Sequence, residues 1–586
     1  MVVGPVSTLK LRKILVNNQN KSISKKDFNK TKVNYLRQNT RFKRLTNDFL
    51  DIDLTAEIDE NLLKENKRLN DQKKVKMYRN ANNTLSNSTE KPKEEKIIST
   101  VVYNKRKVDN GTLTKENTIF LSRILDFATT RPIEGIKDLE TTVDIDYYCE
   151  PDKKITNEEL YKLCKERPNI KYLDLSNCDK IMDWSPISTL KDLEQLDVNN
   201  CDYIIDLDFV KDLKKLKVLN AGNTDLRYID GLESLDSLEI INLTSNPVLS
   251  IEPLKNCKNL HDIVLWGCLS VQDVSILKNC KELRLVDVES CPISDLSCLS
   301  NLTNLNTILM DNCSKVKDFS FLENLTELRY FSADAPIILG ESNLYHFRNL
   351  KSIEYLSLKQ RGIATLEYFK NFHNLKELKL VDNMIKDLKP IENLVEMQKI
   401  DLTKNKELKD LSPLHNMHKL EKLILNGSVP GGKTNTLQSS FDTMQITDLS
   451  VLQNFPNLKE INLDGNTKLK DISWFAYCPK LEEVQLNNCT QLEDATPLGD
   501  LEFMFRLEIK NCPKVRDLYC VSRCEALTQF NYNGTSVPTV KMINTLKRCT
   551  GIFILKGNDA VDIQSKFIKS GQKRIKMYKS RKKNKD

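Results

Sequence analysis

Gly427-Ser-Val-Pro-Gly-Gly432-Lys433-Thr434 has the spacing G-x-x-x-x-G-K-[ST]. Such residues could hold a nucleotide: the glycines bring backbone N–H groups to phosphates, Lys433 reaches the β/γ-phosphates and Thr434 a magnesium ion. Two features count against that chemistry. Pro430 removes one N–H from the cradle, and no βαβ unit surrounds the apolar run Leu423-Ile-Leu425 before it. The segment reads as an exposed Gly/Pro loop, and no cofactor is expected. His415-x-x-His418 has no cysteine nearby, and Cys520-x-x-x-Cys524 has no second pair at ligand spacing, so no metal site is expected. The five histidines are scattered and no Ser or Cys nucleophile has a recognisable partner spacing. The chain is expected not to be an enzyme.

The elements around these residues repeat. Leu375, Leu378, Leu380 and Asn383 recur as Met397, Ile400, Leu402 and Asn405, a spacing of 22 residues. The pattern is L-x-x-L-x-L-x-x-N/C, the leucine-rich repeat. Its strand motif appears in sixteen clear copies from Leu173-Asp-Leu175 to Phe530-Asn-Tyr532, with a weaker last copy at Phe553-Ile-Leu555. The second half of each unit carries Asp, Ser and Pro, as in Leu408-Lys-Asp-Leu-Ser-Pro-Leu414. These residues cap and start short turns. The expected fold class is an α/β repeat: a horseshoe solenoid with a parallel concave sheet and a convex side of 3-10 and short turns. One unit is long. Leu423 to Ile461 is 38 residues, and the excess is assigned to a loop at 428–444.

Four regions flank or form the array. Residues 1–115 are polar and basic and too poor in apolar residues to offset chain entropy. Residues 116–154 are read as a helical N-terminal cap region, because Ile119, Phe120, Leu121, Ile124, Leu125 and Phe127 make 117–128 apolar enough to dock at the start of the solenoid. Residues 155–560 are the solenoid, opened by Thr156 with Glu159 three positions on, a capping signal. Residues 561–586 are a basic tail.

Charge divides the same way. Residues 1–50 carry a net +10 and 565–586 a net +9, which leaves −11 on the other 514 residues of a chain whose total is +8. The basic ends fit import signals, nucleic-acid arms or solubilising tails. No run approaches the ~18 apolar residues of a membrane span, and no signal-peptide core is present. Residues 1–26 lack acids, as mitochondrial presequences do, but are rich in Asn and Lys rather than Arg. Seven of the sixteen cysteines, among them Cys268, Cys291 and Cys313, stand at the N/C position that points inward. They are expected to be reduced and buried, in an intracellular, cytoplasmic or nuclear protein.

The 22-residue units resemble the internalin and phosphatase-regulatory class of leucine-rich repeats. Cys-bearing units such as Cys478-Pro-Lys-Leu-Glu-Glu-Val-Gln-Leu-Asn-Asn-Cys489 are similar to those of F-box receptors. The resemblance implies binding on the concave face, where outward strand residues form columns one repeat apart. One column is Trp266, Glu289, Asp311, Asp334 and Lys359; the next includes Asp287 and Leu309; the third includes Leu285, Tyr330 and Tyr355. An outward Trp, two Tyr, two Leu and several acids suit a protein partner with a basic contact patch. The first functional expectation is a protein-interaction scaffold. The second is a regulatory subunit of an enzyme such as a protein phosphatase, or a substrate receptor of a ligase complex. The third is nucleotide binding through 427–434. Nucleic acid on the basic tails, no membrane and an open oligomeric state complete the list.

Overall fold

Leu378 pairs with Leu356 on one side and with Ile400 on the other, and the same register carries through the array. The structure, a computed structural model, describes residues 147–148, 155–427, 444, 446–538, 541, 545 and 554–556. The expected regions 1–115 and 561–586, the segment 117–128, and Gly432, Lys433 and Thr434 lie outside them. The described strands form one eighteen-stranded sheet in which each pairs in parallel with its sequence neighbours. Sixteen of them, Tyr172–Asp174 to Gln529–Asn531, are three residues long and fall where the sixteen motifs were expected. Each starts one residue earlier than its apolar triplet. The last apolar residue still bonds across, as Leu380 N does to Asp401 O at 2.9 Å. The final copy is shifted: Leu555, not Phe553, pairs with Phe530.

The backs of the units are 3-10 turns, such as Ser412–Asn416 and Ser450–Asn454. Their start is set by one recurring bond. Asp410 Oδ1 accepts from Ser412 N at 2.8 Å, and Asp295 Oδ1 accepts from Ser297 N at 2.7 Å. An aspartate two residues ahead satisfies an N–H that the turn leaves unpaired.

The N/C position is a rung between units. Asn383 Nδ2 donates to Leu358 O of the preceding unit at 2.8 Å, while its Oδ1 accepts from Ile363 N at 2.9 Å. A cysteine makes only the first kind of bond: Cys313 Sγ reaches Val288 O at 3.0 Å and Cys291 Sγ reaches Leu265 O at 3.1 Å. All fourteen described cysteines are free. Burial pushes the thiol pKa up, to about 12 at Cys313 and Cys268, so thiolate is scarce at neutral pH.

The ends are closed differently. In the helix Asn157–Glu166, Glu159 N donates to Thr156 Oγ1 and Thr156 N donates to Glu159 Oε2, the expected capping box. Asn157 Oδ1 accepts from Met182 N at 2.8 Å and ties the helix to the first unit. Tyr147–Tyr148, inside the stretch expected to be helical, is instead a strand paired with Tyr172–Asp174. It covers backbone groups that the first strand would otherwise leave unpaired.

The long unit resolves into a normal one plus an insertion. Met444 is fully buried and belongs to the core, which moves the expected loop boundary back by one residue. The next unit's Asn466 Oδ1 accepts from Ile446 N, as Asn383 Oδ1 does from Ile363 N, so Met444 takes the rung position. The insertion is therefore 428–443, and the 38-residue spacing less these sixteen residues is 22. A Cβ placed on Gly427 would lie 2.9 Å from Met444 N, so the chain leaves and re-enters at one point. Joining Gly427 directly to Met444 is expected to leave stability in denaturant melts within about 1 kcal/mol of wild type; a large loss would show that the insertion is part of the fold. ATP binding by wild type that disappears in Lys433→Ala would restore the phosphate-loop reading.

Candidate protein-binding face

Side chains alternate along a strand, so the residues flanking each inward Leu stand on the outer face of the sheet. The register runs Asp262, Leu285, Thr307, Tyr330, Tyr355 in one column and Val264, Asp287, Leu309, Ser332, Ser357 in the next. Backbone bonds from Gly267 N to Glu289 O, Ser290 N to Asp311 O and Asn312 N to Asp334 O align Trp266, Glu289, Asp311 and Asp334 in the third. Every residue singled out on this face thus lies within one block of five units.

Exposure differs from what alternation suggests. Trp266 and Tyr330 are half-buried, while Tyr355 is 4% exposed, Leu285 5% and Leu309 2%. Strands stand about 4.8 Å apart, and a residue flanked on both sides shows little of itself. Leu285 sits between Asp262 and Thr307, and Leu309 between Asp287 and Ser332. The rings of Tyr330 and Tyr355 stack at 6.2 Å and 23°. Lys379 Nζ stands 5.0 Å from the centre of the Tyr355 ring.

The acids also hold the fold. Asp311 Oδ1 accepts from Ser332 Oγ at 2.6 Å and from Asp334 N at 2.9 Å. Asp334 repeats the pattern with Ser357 Oγ and Lys359 N, and its Oδ2 pairs with Lys359 Nζ at 2.8 Å. Asp287, fully buried, accepts from Glu289 N at 3.0 Å. Their presence in columns thus follows from the need of each strand end for an acceptor as well as from any partner.

Two residues carry properties that escaped the sequence reading: Asp262, which heads the column of Leu285, Tyr330 and Tyr355, with its shifted carboxyl, and Arg361, with its burial. Asp262 lies between Ile240 and Leu285, and burial pushes its carboxyl pKa from 3.8 to about 6 against the pull of Arg284. Because the folded pKa is raised, the chain carries no penalty from this group below pH ~4. The penalty grows between pH 4 and 6 and is complete above 6. Asp262→Asn is expected to raise stability at pH 7.5 by about 2 kcal/mol and to change nothing at pH 4. Denaturant melts at the two pH values check this; an equal effect at both would contradict it.

Arg361 is the other. It stands at the rung position, three residues after Leu358, and is fully buried. Its Nε donates to Ala333 O, as an Asn or Cys would, but among the described residues Nη1 and Nη2 have no hydrogen-bond partner. The guanidinium carbon lies 5.4 Å from the centre of the Phe319 ring. Burial lowers its pKa, opposed by Asp334 and Asp311. Phe319, Phe331 and Phe347 pack around one another here, where the step from Phe331 to Leu356 lengthens to 25 residues.

Among the described residues no group of three or more His, Cys, Asp or Glu side chains could hold a metal ion. A cavity of about 570 Å³ on the back is lined by Asp387, Asp410, Ser412, His415 and Asn454. Its aspartates cap Lys389 and Ser412, and His415 Nδ1 lies 3.0 Å from Ser412 O. No described helix is long and apolar enough to cross a membrane.

The family described as Leucine Rich repeats (2 copies) matches residues 168–212 and 456–500, one stretch near each end of the sheet. The fold is a leucine-rich-repeat solenoid. No curated protein matches it. Among solved structures, the leucine-rich-repeat array is similar to an internalin from Listeria monocytogenes at 21% identity, over 61% of this chain and 90% of that one, with a TM-score of 0.41. A leucine-rich-repeat protein of Leptospira interrogans matches at 17% identity over 66% and 97%, with a TM-score of 0.39. The ectodomain of the Arabidopsis receptor kinase HAESA, solved with a peptide hormone ligand, matches at 17% over 66% and 70%, with a TM-score of 0.48.

Proposed function

We propose that this leucine-rich-repeat protein is a non-enzymatic scaffold that binds a protein partner on the outer face of its sheet. The single observation that supports the reading is the register that sets Trp266, Tyr330 and Glu289 on one face of one block of units. Aromatic side chains on a rigid surface anchor interfaces, and acids around them favour a basic contact patch. Free, buried thiols fit a reducing compartment, in keeping with a cytoplasmic or nuclear site of action.

The test takes the protein that the full-length chain captures and titrates it against variants. Trp266→Ala and Tyr330→Ala are expected to weaken binding at least ~10-fold, about 1.4 kcal/mol, with unchanged circular dichroism. Asp311 is a poor charge probe because it accepts from Ser332 and Asp334. Glu289→Lys serves instead and is expected mainly to slow association and reduce its salt dependence. Wild-type affinity in all three variants would place the partner elsewhere.

A further inference from the structure

After each rung the chain buries one apolar residue, such as Ile181, Ile204 or Val248, and turns the following residue outward. Backbone bonds from Arg227 N to Ile205 O and from Leu249 N to Arg227 O align those outward positions from unit to unit. From the fifth unit onward they hold mostly polar residues, such as Gln272, Ser294, Lys317 and Lys386. In the first four units they hold Met182, Ile205, Arg227 and Leu249, all exposed, the three apolar ones by 55%, 45% and 47%. Leu269, 73% exposed, and Tyr203 and Tyr228 stand in the same turns of these five units. This strip, apolar except for Arg227, lies after the strands, not on the sheet face. Exposed apolar side chains gathered over consecutive units mark a contact surface, whereas single ones need no explanation.

We propose that this strip is the docking site of the chain's own segment 117–128. The segment lies beyond the described residues, and three observations select it. As a helix it would place Phe120, Leu121, Ile124, Leu125, Phe127 and Ala128 on one broad stripe, with Ser122, Arg123 and Asp126 opposite and Ile119 among those three. Twelve helical residues are about 18 Å long. The four steps between the first five strands come to about 19 Å, so helix and strip match in length. The tether also fits. Tyr147–Tyr148 is fixed beside the first unit by its pairing with Tyr172–Asp174. Residues 129–146 between them can span roughly 60 Å when extended. A helix this short is marginal alone and needs such a surface.

Hydrogen exchange on the full-length chain tests the proposal. Amides of 117–128 are expected to exchange at least about tenfold more slowly than in an unstructured peptide. That protection is expected to vanish in the double variant Ile205→Asp, Leu249→Asp and equally in Leu121→Asp, Ile124→Asp. Protection of the repeat strands should be unchanged in both, because the strip residues are exposed. Peptide-like exchange of 117–128 in wild type would overturn the proposal, as would protection that survives the strip variants. Protection that falls on dilution would assign the strip to a second copy of the chain and overturn it too.

Discussion

Cys313→Arg is expected to lower stability by several kcal/mol, about 3–5 as for other uncompensated buried charges. The thiol is 1% exposed and bonds to Val288 O, in a stretch where units step by 22 or 23 residues and leave no spare room. Arginine there must either bury a bare guanidinium or push two units apart. Cys313→Asn is the control. Asparagine already serves as the rung at Asn383, Asn405 and Asn466, so it should cost far less. Denaturant melts of the pair decide the matter; an arginine variant as stable as the asparagine one would mean that the rungs do not face the core.

Arg361 carries the same argument in reverse. Arg361→Met removes a buried charge whose Nη1 and Nη2 have no partner among the described residues, and keeps nearly the same volume against Phe319. It forfeits the bond to Ala333 O, worth about 1 kcal/mol. Relief of desolvation exceeds that, and a net gain of about 1–3 kcal/mol is expected. A loss of stability in Arg361→Met would show that the guanidinium is well satisfied. The native arginine stands in the 25-residue unit whose preceding rung position holds Pro336, and its guanidinium lies over Phe319, which packs with Phe331 and Phe347.

The strands were legible because every unit writes the same instruction. Leu378, Leu380 and Asn383 say the same thing as Ile400, Leu402 and Asn405, and sixteen repetitions leave no competing register. Phe553 was misplaced because a single degenerate copy offers two apolar residues, Phe553 and Leu555, and only pairing with Phe530 chooses between them. The face was legible as a set of columns but not as a surface. Alternation says which side Leu285 and Leu309 take, not how closely Asp262, Thr307, Asp287 and Ser332 flank them. Arg361 was hidden for another reason: its position in the motif is plain, but its burial over Phe319, in another unit, is not. Met182 and Ile205 lie outside the strand motif altogether, so a reading built on that motif passes over them.

The insertion at 428–443 begins and ends at neighbouring atoms, beside Gly427 and Met444. Its ends are held by the array, so its length is decoupled from the period of the solenoid. Lengthening such a closed excursion costs only chain entropy, about 0.6 kcal/mol per doubling. The solenoid thus carries a port whose cargo can grow, shrink or change composition while the units on either side keep their spacing, and a folded tag or reporter could be spliced there without bending the sheet.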